Sequence, residues 1–213
     1  MRFRNMAVLA SAISILAAAA GAADMGRQPI GPSGTAAVRP GQVQNGYSAS
    51  IGDMGPGIEA AVDWSSVNWK VAGNANHDSA WSPDVSFFYG ISPYLDLRLN
   101  AKYMSLKDQD DMDVFRFGVG ARAWLPTQWE VLPYAGVGLN YYRPSGSGLG
   151  SPEGALGISG EAGVAYLISE RAAVRFGLQA EATVADAKAT INGQKENISL
   201  SAAGLGVGII VAF

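Results

Sequence analysis

The sequence predicts an all-β fold, an eight-stranded antiparallel up-and-down β-barrel that crosses a membrane. Three observations predict it. Eight stretches between Gly57 and the last residue alternate apolar residues with polar or small ones, the pattern of strands whose side chains leave opposite faces. The connections between these stretches alternate short with long. Beyond the first two dozen residues no apolar run reaches the ~18 residues of a spanning helix, and a closed barrel is the other structure that satisfies its backbone inside lipid.

The composition agrees with this class. The 213 residues allow one domain or two small ones. With 48% hydrophobic and 15% charged residues the chain is too apolar for disorder. Its 27 glycines argue against a helical enzyme, since Gly inside a helix costs about 1 kcal/mol relative to Ala. There is no cysteine, which excludes disulfides, thiol chemistry and Cys metal sites.

The chain divides into three segments. Residues 1–23 (MRFRNMAVLASAISILAAAAGAA) place Arg2 and Arg4 before an apolar run and end on Ala20-Gly21-Ala22, the layout of a cleaved secretory signal peptide. A retained membrane anchor is the alternative, disfavoured by the short Ala-rich run. Cleavage removes Arg2 and Arg4 from 15 bases, leaving 13 against 18 acids and a formal charge of −5. A mildly acidic chain without a Lys/Arg cluster is a poor nucleic-acid binder. Residues 24–56 are rich in Gly, Pro and Ser and read as a flexible segment, with a short extra strand through Tyr47, Ala49 and Ile51 as the alternative. Residues 57–213 are the barrel.

The strands follow in order. Ile58, Ala60, Val62 and Trp64 oppose Glu59, Ala61, Asp63 and Ser65. Val85, Phe87, Tyr89 and Ile91 oppose Ser86, Phe88 and Gly90. Leu95, Leu97, Leu99, Ala101 and Tyr103 oppose Asp96, Arg98, Asn100 and Lys102. Phe115, Phe117, Val119, Ala121 and Ala123 oppose Arg116, Gly118, Gly120 and Arg122. Ala135, Val137, Leu139 and Tyr141 oppose Tyr134, Gly136, Gly138 and Asn140. Ile158, Ala162, Val164 and Tyr166 oppose Ser159, Glu161, Gly163 and Ala165. Val174, Phe176, Leu178, Ala180 and Val184 oppose Arg175, Gly177, Gln179 and Glu181. Leu205, Val207, Ile209, Val211 and Phe213 oppose Gly204, Gly206, Gly208, Ile210 and Ala212. Short turns are expected at 92–94, 126–130 and 169–171, and polar loops at 68–83, 108–113, 143–155 and 186–197. An even-stranded meander of this kind is what an outer-membrane barrel requires.

A soluble lipocalin-like barrel would put the apolar face inside, and a transmembrane barrel puts it toward lipid. The glycines favour the second. They crowd the polar face, where a narrow lumen needs small residues beside large ones. The charges of that face also balance: Glu59, Asp63, Asp96, Glu161 and Glu181 against Arg98, Lys102, Arg116, Arg122 and Arg175. Buried charges are expected to pair. Aromatics near the strand ends suggest two girdles. Trp64, Trp69, Trp81, Tyr103, Phe115, Tyr141 and Tyr142 fall at the loop end. Tyr89, Tyr94, Trp124, Trp129, Tyr134, Tyr166 and Phe213 fall at the turn end.

The final GLGVGIIVAF resembles the C-terminal signature read by the barrel-assembly machinery of bacterial outer membranes, with Leu205, Val207, Ile209, Val211 and Phe213 matching its alternation. Residues 57–213 resemble the small eight-stranded outer-membrane proteins of the OmpX, opacity-protein and OmpA transmembrane-domain group. Because the barrel strands run to Phe213, the peptidoglycan-binding domain of full OmpA-type proteins is expected to be missing. The resemblance implies a cell-surface protein of a Gram-negative outer membrane, in contact with outer-membrane lipid and lipopolysaccharide and acting in adhesion or envelope integrity. It implies no common activity and no cofactor.

Little in the sequence points to chemistry. His77, followed by Asp78 and Ser79, is expected on the first loop. Neighbours in sequence do not make a triad, so a lipopolysaccharide-modifying enzyme is the weaker reading and the chain is expected not to be an enzyme. Asp108, Asp110, Asp111 and Asp113 form an acidic tip that invites Ca²⁺ or Mg²⁺, but Met112 and the missing Gly and Glu break the EF-hand pattern. The Gly-rich 146–154 lacks the Lys-Ser/Thr of a P-loop. The expected function is a structural and surface-interaction barrel whose four loops meet an external ligand. A narrow porin-like channel for ions or small solutes is the alternative, and a soluble exported barrel that binds a lipophile ranks lower.

Overall fold

The computed structural model describes residues 55–71, 73–106, 112–125, 127, 130–146, 152–169, 171–191 and 193–213. The expected signal peptide at 1–23, residues 24–54, Asp108, Asp110, Asp111, Trp129 and residues 147–151 of the Gly-rich loop lie outside them. Nine antiparallel strands form a ring: β1 (Pro56–Val71), β2 (Asn74–Ser92), β3 (Leu95–Leu106), β4 (Met112–Trp124), β5 (Val131–Gly146), β6 (Ala155–Ser169), β7 (Ala172–Ala185), β8 (Ala187–Ile191) and β9 (Gln194–Ala212). Each pairs with its neighbour from β1 to β7, β7 pairs with β9, and β9 pairs with β1 to close the ring.

The ninth strand differs from the eight expected, and its register explains it. β7 occupies β9 from Ala172↔Val211 to Ala182↔Ser201. β8 takes over at Ala187↔Ile198. The two are successive parts of one wall position, broken around Asp186. The ring is therefore eight strand positions wide. Its closure leaves no backbone edge in the wall, the condition for crossing lipid.

Two expected loops are instead hairpins. β1 and β2 pair without interruption to Val71↔Asn74, and β8 and β9 pair to Ile191↔Gln194. Gly73 and Gly193 each take a φ of 80° at the reversals, a conformation open to Gly without a Cβ penalty. The period-two pattern of Val67, Trp69 and Val71 continues through the stretch first read as loop. β1 thus runs seven residues past Trp64, roughly 20 Å of strand at about 3.3 Å per residue.

Facing follows the parity of the sequence. Val85, Phe87, Leu97, Leu99, Phe117, Val119, Val137, Leu139, Phe176 and Leu178 are exposed on the outside, while Glu59, Asp63, Asp96, Arg98, Lys102, Arg116, Arg122, Arg175 and Glu181 are buried. Four of the expected girdle aromatics face inward: Trp69, Tyr142, Trp124 and Tyr134 are buried. Trp64 pairs directly with Trp81 across β1 and β2, and both are exposed, as are Phe115 and Tyr141. Tyr89, Tyr94, Tyr166 and Phe213 are exposed at the turn end.

Lipid exposure makes a direct prediction. Val119→Arg, in the middle of the outward face of β4, is expected to cost about 2–4 kcal/mol. Thr190→Arg, on the β8–β9 hairpin above the girdle, is expected to stay within about 0.5 kcal/mol. Urea unfolding in lipid vesicles checks both.

Candidate functional site

The lumen is the site that the ring builds. It is filled in four tiers, from the turn end to the loop end.

The floor is apolar. Phe88, Leu132, Ile210, Ala165, Ala173 and Ala212 pack with Trp124 and Tyr134, whose rings lie 5.3 Å apart.

The lower ionic tier stands on this floor. Glu59 receives Arg122 through Oε2 at 2.7 Å, and its Oε1 takes Arg175 and, at 3.4 Å, Arg98. Arg98 also pairs with Glu161 and donates to Ser86 at 2.9 Å. Arg175 lies 3.6 Å from Glu161 Oε2 and donates to the Tyr134 hydroxyl at 3.1 Å. Asp96 accepts from Arg122 Nε at 3.1 Å and from the Trp124 indole at 2.6 Å. The Arg122 guanidinium is caged by rings, with its carbon 4.4 Å from the Trp124 centroid, 5.5 Å from Tyr134 and 5.9 Å from Phe88. Cation–π attraction is strongest when the cation is desolvated, as here.

The upper ionic tier joins six strands, β1 to β5 and β7. Lys102 Nζ lies 3.1 Å from Asp63 and 3.3 Å from Glu181. Arg116 bridges Asp84 at 2.7 Å and Glu181 at 2.8 Å. The Tyr142 hydroxyl donates to Glu181 at 2.9 Å. Between the tiers remains a cavity of about 30 Å³ lined by Asp84, Arg98, Asn100, Arg116, Ser159 and Gln179 among others, large enough to hold water.

The roof is apolar again. Val67, Trp69, Ile198 and Leu200 pack against Met104, Leu106, Met112 and Val114 from the opposite wall.

Glycine makes this filling possible. A Cβ on Gly206 would stand 2.2 Å from Asp63 Oδ1, one on Gly177 would stand 2.2 Å from the Tyr134 hydroxyl, and one on Gly118 would stand 2.3 Å from both Asn100 Oδ1 and Asn140 Oδ1. The large groups occupy space that their neighbours vacate.

All ten charged residues singled out from the sequence lie in these two tiers. Asp84 is not among them, because an expected loop at 68–83 and a strand that begins at Val85 leave it at the boundary between the two. Extending the parity of Ser86 back by two would have found it. With Asp84 the described lumen carries six carboxylates against five cations, and the balance read from the sequence is off by one. Of the terminal residues, Leu205, Val207, Ile209 and Phe213 are exposed and Val211 is buried. Phe213 donates its N–H to the Pro56 carbonyl at 2.9 Å, tying the chain's last residue to β1.

The remaining candidates do not converge. His77 lies on β2, not on a loop, and its Nδ1 is 2.9 Å from Asn68 Oδ1. Asp78, the next residue, leaves the opposite face of the strand. Asp113 accepts from the Tyr103 hydroxyl at 2.8 Å. Among the described residues no group of three or more His, Asp or Glu is set to hold a metal.

The tiers predict unequal costs. Glu59→Gln takes the shared carboxylate from three guanidinium groups and leaves them only Asp96 and Glu161, one buried cation in excess, and is expected to lose about 3–5 kcal/mol, as when one partner of a buried pair is removed. Asp84→Asn removes the surplus negative charge and leaves Arg116 its contact with Glu181, so its loss is expected to be much smaller. Urea midpoints of the two variants in the same vesicles give the comparison.

Residues 7–213 match the family model described as outer membrane protein beta-barrel domain. No curated protein sequence matches the chain. Among solved structures, it is similar to Neisserial surface protein A, at 19% identity and a TM-score of 0.58, covering 73% of this chain and 97% of that one. It is also similar to the outer membrane protein OprG from Pseudomonas aeruginosa, at 20% identity and a TM-score of 0.49, covering 75% and 97%.

Proposed function

Since the chain belongs to the outer-membrane β-barrel family, we propose that it is a closed anchor in the bacterial outer membrane, reached through a cleaved signal peptide, that acts by contact at the cell surface. Its role is adhesion or envelope integrity, carried by the hairpins and loops above the roof. The observation that supports this reading is the filled lumen. Two ionic tiers lie between an apolar floor and an apolar roof, with a cavity of about 30 Å³ between the tiers. A conducting eight-stranded barrel would have to open both ends and part the ion pairs. Wider rings leave room for a channel, and this ring is of the size that side chains fill.

The loop end offers what a contact surface requires. The β1–β2 and β8–β9 hairpins stand side by side, since β1 pairs with β9 up to Val71↔Ile198. Lys70, His77, Lys188 and Lys195 are exposed on them. Their pairing presents these groups from ordered strands, which lowers the entropy cost of binding.

Planar-bilayer recording tests the reading. The reconstituted protein is expected to give no current steps above those of a protein-free bilayer. Stable unitary conductance would favour the channel instead. Exchanging 188–197 for a minimal Asn-Gly hairpin is expected to leave folding intact, read as heat-modifiable migration, and to abolish attachment of cells to host or abiotic surfaces.

A further inference from the structure

The outward wall carries a recess of about 810 Å³ across β2 to β6. Its sides include Tyr89, Leu97, Leu99, Leu139 and Ile158, and its floor Gly120, Ala121 and Gly138. The outer surface of a barrel is convex, so a recess of this size has a local cause. Beneath it the inward positions of β4 and β5 are Gly118, Gly120, Gly136 and Gly138. The neighbouring side chains of β6 lean over these glycines: a Cβ on Gly136 would stand 2.9 Å from Oε1 of its cross-strand partner Glu161, and one on Gly138 would stand 2.8 Å from Oγ of its partner Ser159. Ala121 deepens the recess, because its cross-strand neighbours are Leu97 and Val137 and it is the smallest outward residue of the three.

We propose that this recess binds one acyl chain of a membrane phospholipid, held long enough to stay with the barrel when the surrounding bilayer is exchanged for detergent. The lining side chains that face outward are aliphatic and aromatic, as an acyl chain demands. The recess is continuous with the exposed apolar belt of Phe87, Phe117 and Val119, so a chain enters it sideways from the bilayer. Ala121 lies near the turn end of β4, three residues before Trp124 where the strand ends, on the side of the exposed Tyr89, Tyr94 and Tyr166. The chain therefore comes from the leaflet on that side.

This inference rests on the membrane placement of the family and not on the contact role of the hairpins. Native mass spectrometry and lipid extraction of the detergent-exchanged protein test it. The wild type and Ala180→Phe, a bulky change on the outward face of β7, are expected to retain one phospholipid per barrel. Ala121→Phe and Val137→Trp, which fill the recess from outside, are expected to lose it. Heat-modifiable migration reports folding, and if one filling variant misfolds the other decides. A lipid-free wild type overturns the proposal, as does equal retention in every folded variant. A wild type that is soluble and monomeric without detergent would instead overturn the membrane reading on which the proposal stands.

Discussion

Closure of the ring through β1 and β9 is the constraint on which the other features depend. In lipid there is no water to satisfy an open sheet edge, and each unpaired backbone group costs several kcal/mol. The antiparallel register from Gly57↔Ala212 to Val71↔Ile198 satisfies that demand. Once the wall is closed, every side chain points either to lipid or to a lumen of fixed width. Parity then sorts the sequence into two chemistries: Leu97, Leu99, Val119 and Leu139 outside, and Arg98, Arg116, Arg122 and Glu59 inside.

The narrow lumen imposes a second demand. Charges withdrawn from water need partners of opposite sign. The two tiers supply them in different ways. Around Glu59 three guanidinium groups and two further carboxylates share contacts above an aromatic floor that also cages Arg122. Around Glu181, Lys102 and Arg116 answer three carboxylates, so the surplus acid belongs to this tier. The glycines serve both tiers, since large groups such as Tyr134 and Asp63 fit only where a facing side chain is missing.

Much of this was legible in the sequence, and the reasons are physical. Alternation with period two survives wherever one face meets lipid and the other a packed lumen, which is why the inner charges and the outer aliphatics could be assigned residue by residue. The errors fall where that contrast fades. Above the girdle both faces meet water or protein, and stretches such as Asn74–Ser79 look like loop although they are paired strand. Asp84 was lost with them. Trp69, Tyr142, Trp124 and Tyr134 were placed with the interfacial aromatics because an aromatic near a strand end suits either a membrane interface or a plug. Their inward parity, shared with Asp63, Asn140, Arg122 and Gly136, marks them as plug. The break at Asp186 left no sequence signal, because β7 and β8 keep the same inward parity from Glu181 to Ala187 and Ala189.

Cysteine scanning tests the sidedness of the wall most directly, because the native chain has no cysteine. Single cysteines from Phe115 to Ala123, each carrying a fluorophore, are measured in vesicles with a quencher placed on the lipid chains. The account predicts a two-residue period: strong quenching at 115, 117, 119, 121 and 123, and little quenching or failed labelling at 116, 118, 120 and 122. Quenching that is uniform, or strongest at the even positions, would contradict it.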